Sequence, residues 1–160
     1  MAKYQHRYSS PLGTITLTAT DKGLTSLSLP EFKYDVPVSD EHIEDASKFI
    51  DAVEQLDRYF AGENVEFNVA LDLQGTAFQQ SVWTLLQAIP AGETRCYGDL
   101  AHLLGKPTAS RAVGAANGQN PIAIIVPCHR VIGKNGKLTG YAGGLSAKEW
   151  LLAHEEKMAR

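Results

Sequence analysis

A chain of 160 residues has material for one medium core or two small ones, and 44% hydrophobic with 21% charged residues is the balance of a folded globular protein rather than a disordered one. No apolar run approaches the roughly 20 residues of a membrane helix, and Met1 leads into an alternating segment instead of an apolar signal sequence, so an intracellular, cytoplasmic location and no membrane partner are expected. The net charge of −3 is unevenly spread, since residues 1–74 carry 6 Lys and Arg against 13 Asp and Glu while residues 75–160 carry 9 against 5, which makes the second half the one suited to an anionic partner.

In chain order, Thr14 to Thr18 alternates as a half-buried strand does, and Leu24, Leu27 and Leu29 follow the turn at Asp21-Lys22-Gly23. Residues 35–39 read as loop. Ile43, Ala46, Phe49, Val53, Leu56 and Phe60 then fall at helical spacing, which predicts a helix from about Asp40 to Phe60, stopped at Ala61-Gly62. Phe67, Val69, Leu71 and Leu73 alternate again and predict a further strand. An antiparallel sheet with one helix packed on it accounts for residues 1–74.

The second half reads as helices. Thr76 to Gln79 has the pattern of a capping box, opening a helix through about Ala88 that Pro90-Ala91-Gly92 stops. Short helices follow at about Tyr97–Leu104 and Thr108–Asn117, separated by Gly105-Lys106-Pro107, in a helix-turn-helix pattern. Asn135-Gly136 is a tight-turn signal for a wing-like hairpin. Ser146 to Glu149 resembles a second capping box, ahead of Trp150, Leu151 and Leu152. The expected fold is therefore α+β: a small antiparallel-sheet and helix domain over 1–74, then a mainly helical, winged helix-turn-helix-like domain over 75–160.

Chemistry concentrates at Pro127-Cys128-His129-Arg130-Val131, where the apolar run Ile122 to Val126 delivers a cysteine beside a histidine. A thiolate is the strongest side-chain nucleophile, but a free thiol with pKa near 8.5 is only a few per cent ionised at neutral pH, so an adjacent imidazole has a use. Cys96 and Cys128 are the only cysteines, too few for a disulfide framework or a cysteine-rich metal site. On these residues alone, a cysteine hydrolase, a reactive DNA-modifying protein, a DNA-binding module without chemistry and a winged-helix regulator all stay open.

Four stretches carry a closer likeness: Tyr97-Gly98-Asp99-Leu100; Ser110-Arg111-Ala112-Val113-Gly114 followed by Asn120-Pro121; Ile125 to Ile132; and Tyr141-Ala142-Gly143-Gly144 leading to Lys148 through Glu155. Residues 75–155 thereby resemble the catalytic domain of O6-alkylguanine-DNA alkyltransferases. The resemblance implies direct-reversal DNA repair, in which Cys128 takes the alkyl group from O6 of guanine and keeps it, once per protein, without metal or other cofactor. O4-alkylthymine stays open as a second substrate.

By the same resemblance His129 is the base for Cys128 through a bridging water, Glu155 orients His129, Asn120 braces the turn, and Tyr97 helps protonate the departing guanine. Arg111 fills the stack left by a rotated nucleotide, and Ala112, Gly114 and Ala115 let its helix approach the minor groove closely. Arg95 and Arg130 are expected among the phosphate contacts, with Val131, Tyr141 and Ala142 walling the guanine pocket. The expected partner is double-stranded DNA containing O6-alkylguanine, met by a monomer. Cys128 in the Pro-x-His-Arg position separates this chain from alkyltransferase-like proteins that lack the nucleophile, and the helix-turn-helix has no role in a hydrolase.

Overall fold

The alternation of the first thirty residues becomes a meander in the computed structural model, which describes residues 2–30, 41–134, 136, 141 and 144–158. Strands β1 (Tyr4–Ser10), β2 (Gly13–Thr20) and β3 (Gly23–Ser28) pair antiparallel, with Tyr4 opposite Ala19 and Thr20 opposite Gly23. Ile15, Leu17 and Ala19 of β2 bury one face against the helices, as a period of two requires. At Gly23 the backbone of residue 70 comes so close that a Cβ would stand 2.5 Å from the Ala70 carbonyl oxygen.

The expected helix over 40–60 is shorter than its apolar spacing predicts. Ile43–Glu44 instead form β4, which pairs parallel with β1 and completes the order β3-β2-β1-β4. Asp45 then accepts from Ser47 N and caps a 3₁₀ turn over Ala46–Phe49, and only Ile50–Phe60 is α1. Pairing to β1 and the Asp45 cap take the first turns that propensity would have given to the helix. The buried face of this region is Phe49, Ala52, Leu56 and Tyr59, while Ile43 is exposed. Ala61-Gly62 ends the helix as expected, with Gly62 at φ 99° and its N–H donating to Tyr59 O.

The strand expected at 67–73 is reduced to a bridge. Leu71 pairs with Leu24, parallel, through Leu24 N to Ala70 O at 2.9 Å and Asp72 N to Leu24 O at 2.7 Å. Further back, the Gln55 side chain bonds both the N–H and the carbonyl of Asn68, so a helix side chain does what a neighbouring strand would do.

Thr76 forms the expected capping box with Gln79 at the head of α2 (Ala77–Gln87). A two-residue strand, β5 (Arg95–Cys96), leads directly into α3 (Tyr97–Leu103), with the N–H of the N-cap residue Cys96 donating to the Asp99 side chain at 2.9 Å. After a turn with Gly105 at φ 71°, α4 spans Ser110–Gly118. β6 (Val131–Ile132) pairs parallel with β5, an element absent from the sequence reading. The last helix, α5, spans Leu145–Met158. Its first turn is tied by Lys148 N to Gly144 O at 3.1 Å, so Ser146 lies inside the helix and the second capping box does not form. The wing-like hairpin falls largely outside the described residues, where a Gly136 N to Gly133 O bond of 3.0 Å marks a turn.

Both halves feed one core. Leu17, Leu27 and Leu56 from the first half are buried with Trp83, Leu86, Ile122, Val131 and Leu151 from the second. Backbone bonds cross between them as well: Leu27 N donates to Pro121 O at 2.9 Å, and Ala123 N to Leu27 O at 3.2 Å. The end of β3 therefore grips the beginning of the loop that carries Cys128.

Candidate active site

Residues 120–131 turn sharply several times within the core. Ile125 N bonds Ala123 O at 2.8 Å around Ile124, which sits at φ 69°, a three-residue turn that a β-branched residue adopts only under strain. Cys128 N bonds Val126 O at 2.8 Å around Pro127, whose φ of −81° and ψ of 66° make the relaxed, mirror-related turn that proline favours. Asn120 holds the two turns together. Its Nδ2 donates to Val126 O at 2.8 Å and Ile122 O at 3.3 Å, and its Oδ1 accepts from Ile122 N at 3.0 Å. One amide thus bonds three backbone groups of the turn, two of which, the Val126 and Ile122 carbonyls, also accept from Cys128 N and Val126 N.

Cys128, His129 and Arg130 form the single 3₁₀ turn that follows, and all three are buried. Asn117, on α4, donates to Cys128 O at 3.3 Å, so α4 and the turn share a bond. Burial pushes the Cys128 thiol above the ordinary range, and Asn120, Tyr141 and the Lys148 ammonium pull it back. The Tyr141 hydroxyl has no hydrogen-bond partner in the protein, and burial, with Cys128 beside it, holds the phenol well above its ordinary range. Lys148, itself fully buried on α5, donates to Val131 O at 2.7 Å.

His129 is fully buried, and its Nε2 lies 2.7 Å from Glu155 Oε2. Its other nitrogen, Nδ1, has no hydrogen-bond partner in the protein. Burial lowers the imidazole's proton affinity and Glu155 partly restores it, leaving a neutral ring at pH 7 whose proton sits on the carboxylate side and whose Nδ1 lone pair is available. Burial opposes the charge on Glu155, but His129 and Arg130 overcome it and hold the carboxyl well below the usual carboxylate range. The Arg130 guanidinium is bidentate, with Nε to Oε1 at 2.8 Å and Nη2 to Oε2 at 2.9 Å, and its Nη1 reaches Ile89 O at 2.6 Å.

The second part of the site is open. Tyr97 begins α3 with its ring against α4, where a Cβ on Gly114 would stand 3.7 Å from the tyrosine Cδ1. Arg111, Ala112 and Ala115 are exposed along one face of α4, while Val113, Ala116 and Asn117 are buried along the other. A depression beside them is lined by Tyr97, Gly98, His102, Ser110 and Lys134. Arg95 is half-buried and lies 3.1 Å from Glu93.

Against this geometry, two family models account for most of the chain. One, described as 6-O-methylguanine DNA methyltransferase, DNA binding domain, matches residues 77–157; the other, its ribonuclease-like domain, matches residues 3–73. The chain belongs to the 6-O-methylguanine DNA methyltransferase family. A methylated-DNA--protein-cysteine methyltransferase of Mycolicibacterium paratuberculosis is 55% identical over 92% of this chain and 89% of its own length. One from Methanosarcina acetivorans is 53% identical over 95% and 97%. The crystal structure of Mycobacterium tuberculosis O6-methylguanine methyltransferase superposes with a TM-score of 0.90 at 52% identity, covering 99% of this chain and 95% of that one. A structure of Mycobacterium tuberculosis OGT in complex with DNA superposes at 0.88 with 50% identity, covering 99% and 94%.

In this member of the methyltransferase family, the site residues expected from sequence divide into two groups. Asn120, Cys128, His129, Val131, Tyr141 and Glu155 are buried around one turn, whereas Tyr97, Arg111, Ala112, Gly114 and Ala115 lie on α3 and α4. Ala142 lies outside the described residues. Arg130 is a correction: expected to meet phosphate, it is buried and bound to Glu155 and Ile89, leaving its guanidinium no face for DNA. Sequence reading also passed over Lys148, quoted only as part of a motif, and Tyr59, whose hydroxyl donates to Glu155 Oε2 at 2.6 Å from the first half of the chain. Charged and aromatic side chains on amphipathic helices carry no mark of burial beside a nucleophile. Among the described residues, no three His, Cys, Asp or Glu side chains cluster so as to hold a metal ion, and no helix is long and apolar enough to cross a membrane.

Proposed function

We propose that this protein repairs O6-alkylguanine in DNA by transferring the alkyl group irreversibly to Cys128. The observation that carries the reading is the buried line Cys128, His129, Glu155 on the family's Pro-Cys-His-Arg turn, with His129 held at 2.7 Å by a carboxylate that stays ionised. Family membership and relatives named methylated-DNA--protein-cysteine methyltransferase support it.

His129 Nδ1 takes the thiol proton through a bridging water, and the resulting imidazolium is stabilised by Glu155. The Cys128 thiolate attacks the alkyl carbon, the S–C bond forms as the C–O6 bond breaks, and the pair of electrons leaves with guanine. Tyr97 passes a proton to the departing guanine and regains one from water, to which His129 in turn releases the proton it took from the thiol. A thioether has no acyl carbon for water to attack, so the protein is spent after one event. The raised thiol has a use here: resting Cys128 stays protonated, and its ionisation is coupled to the neighbouring base and cation.

A stacked base cannot reach a buried thiol, so the nucleotide leaves the duplex first. Double-stranded DNA is the partner, met in the minor groove by α4, as the exposed small residues Ala112 and Ala115 would allow. Arg111 fills the gap in the stack, and Arg95 contributes to phosphate attraction. Val131, Tyr141 and Ala142 wall the guanine pocket, and the protein acts as a monomer with residues 1–74 in a supporting domain. The test is to incubate the protein with excess duplex containing O6-methylguanine and measure intact and peptide masses. A gain of one methylene per chain on the Cys128 peptide is expected; lesion binding with no mass change makes the protein a damage sensor instead.

A further inference from the structure

Glu155 Oε2 accepts from Arg130 Nη2 and from two further groups. His129 Nε2 stands at 2.7 Å on the catalytic turn, and the Tyr59 hydroxyl at 2.6 Å reaches it from α1, in the half of the chain without the nucleophile. Tyr59 is 1% exposed. Its place is fixed by more than that one bond: His154, on α5 next to Glu155, lies with Nε2 2.6 Å from Tyr59 O, and the two rings meet edge to face at 5.3 Å. Phe60 and Phe67 pack on the same ring.

From this placement we infer that Tyr59 is a positioning residue for alkyl transfer, sharing Glu155 Oε2 with His129 and so setting how strongly the carboxylate draws the imidazole proton. The inference rests on the alkyltransferase reading of Cys128. An oxygen that already accepts a phenol proton is a weaker acceptor for imidazole, and weaker still for imidazolium. With Tyr59 in place the resting histidine stays neutral and its free nitrogen stays a base. Without it, the same carboxylate favours the protonated ring, which has no lone pair to offer Cys128.

Besides His154, which meets the Tyr59 carbonyl and ring, four groups face this pair among the described residues. Arg130 binds both Glu155 oxygens from the turn, and Lys148 acts on His129 and on the thiol from α5. Cys128 and Tyr141 complete the surroundings, and neither is charged at rest, since burial raises both. Burial, then the Glu155 charge, likewise holds the Tyr59 phenol well above its ordinary range, so it donates throughout the working pH range. His129, bonded to Glu155 and next to Cys128, is the group whose ordinary pKa, about 6.5, lies where the rate would bend on the acid side.

Tyr59→Phe in the full chain tests the assignment by single-turnover transfer from free O6-benzylguanine between pH 5.5 and 9. The acid limb of the rate profile is expected to move upward by about half a pH unit or more, making the loss several-fold at pH 6 and small at pH 8.5. Tyr8→Phe is the control, since its hydroxyl donates to Asp57 at 2.6 Å from the same side of the fold but touches no site residue. It should lower thermal stability and leave the profile in place. Should Tyr59→Phe fold poorly, 3-fluorotyrosine at position 59, a stronger donor of nearly the same size, should move the limb the other way. A profile that keeps its midpoint with either replacement, losing rate equally at all pH values or not at all, overturns the inference. Absence of transfer by the unmodified protein would instead refute the reading of Cys128.

Discussion

Around Cys128, the side chains of Asn120, His129, Arg130, Lys148 and Glu155 are buried and bonded to the protein, whereas on α4 Arg111, Ala112 and Ala115 face outward. The two regions touch, through Asn117 and the Cys128 carbonyl, yet they use polarity in opposite ways. The turn uses charge to fix geometry in a dry place, where every unmatched group is expensive. The helix keeps its cation outside and its small residues bare, which suits a surface that must first meet many wrong sites. On the proposed function, chemistry belongs to the turn and search to α4, and a substitution should reveal which side it belongs to.

The sharpest division comes from Cys128→Ala, which should abolish transfer while leaving binding to lesion-containing duplex close to unchanged in a gel-shift titration. Next is Arg130→Met. If this arginine belongs to the buried network, Glu155 loses both bidentate bonds, and breaking such a pair costs about 3–5 kcal/mol, which lowers the melting temperature by about 10 °C. A phosphate-contacting arginine would instead weaken DNA binding and flatten its salt dependence with little change in melting.

Acid should act on the turn before it acts on the helix. Glu155 is held below its unfolded pKa of about 4.3, and His129 below its unfolded value of about 6.5, so both bind fewer protons folded than unfolded. Their contributions are present above those unfolded values and are lost as pH falls toward the folded ones. Stability measured by urea titration should therefore fall from about pH 6.5 downward, and the additional fall below about pH 4.3 should be missing in Glu155→Gln. The smallest expected effect is that of Arg111→Ala: a rate on duplex DNA reduced about tenfold, if the arginine offsets part of the unstacking cost, with reaction toward free O6-benzylguanine unaltered. Equal losses on both substrates would move Arg111 from search to chemistry.

The legible parts of this molecule were those written locally. Thr76 and Gln79 announce a capping box three residues apart, and they form one. The family resemblance pointed to Asn120 as a brace for the turn at Pro127-Cys128-His129-Arg130, and its side chain bonds Val126 and Ile122 there. Tyr59 was not legible, because it looks like any aromatic on an apolar stripe and its partner is 96 residues away. Arg130 misled for a related reason: a guanidinium reads as surface unless its carboxylate is known, and Glu155 is 25 residues distant. The strand expected at 67–73 failed on competition, since alternation describes a strand's faces but not whether another strand is there to pair with it.

The grip of β3 on residues 121–123 bears on the order of assembly. Synthesis runs from the sheet to α1, then to the thiol, and only then to α5 with Glu155, so a growing chain carries Cys128 for some time before its base can be oriented. During that interval the thiol belongs to a cysteine with no special reactivity. On the proposed function a protein consumed in each event must be made repeatedly, and the bonds of Glu155 to His129 and Tyr59 are then the last of the site to close, arming the thiol only in a finished chain.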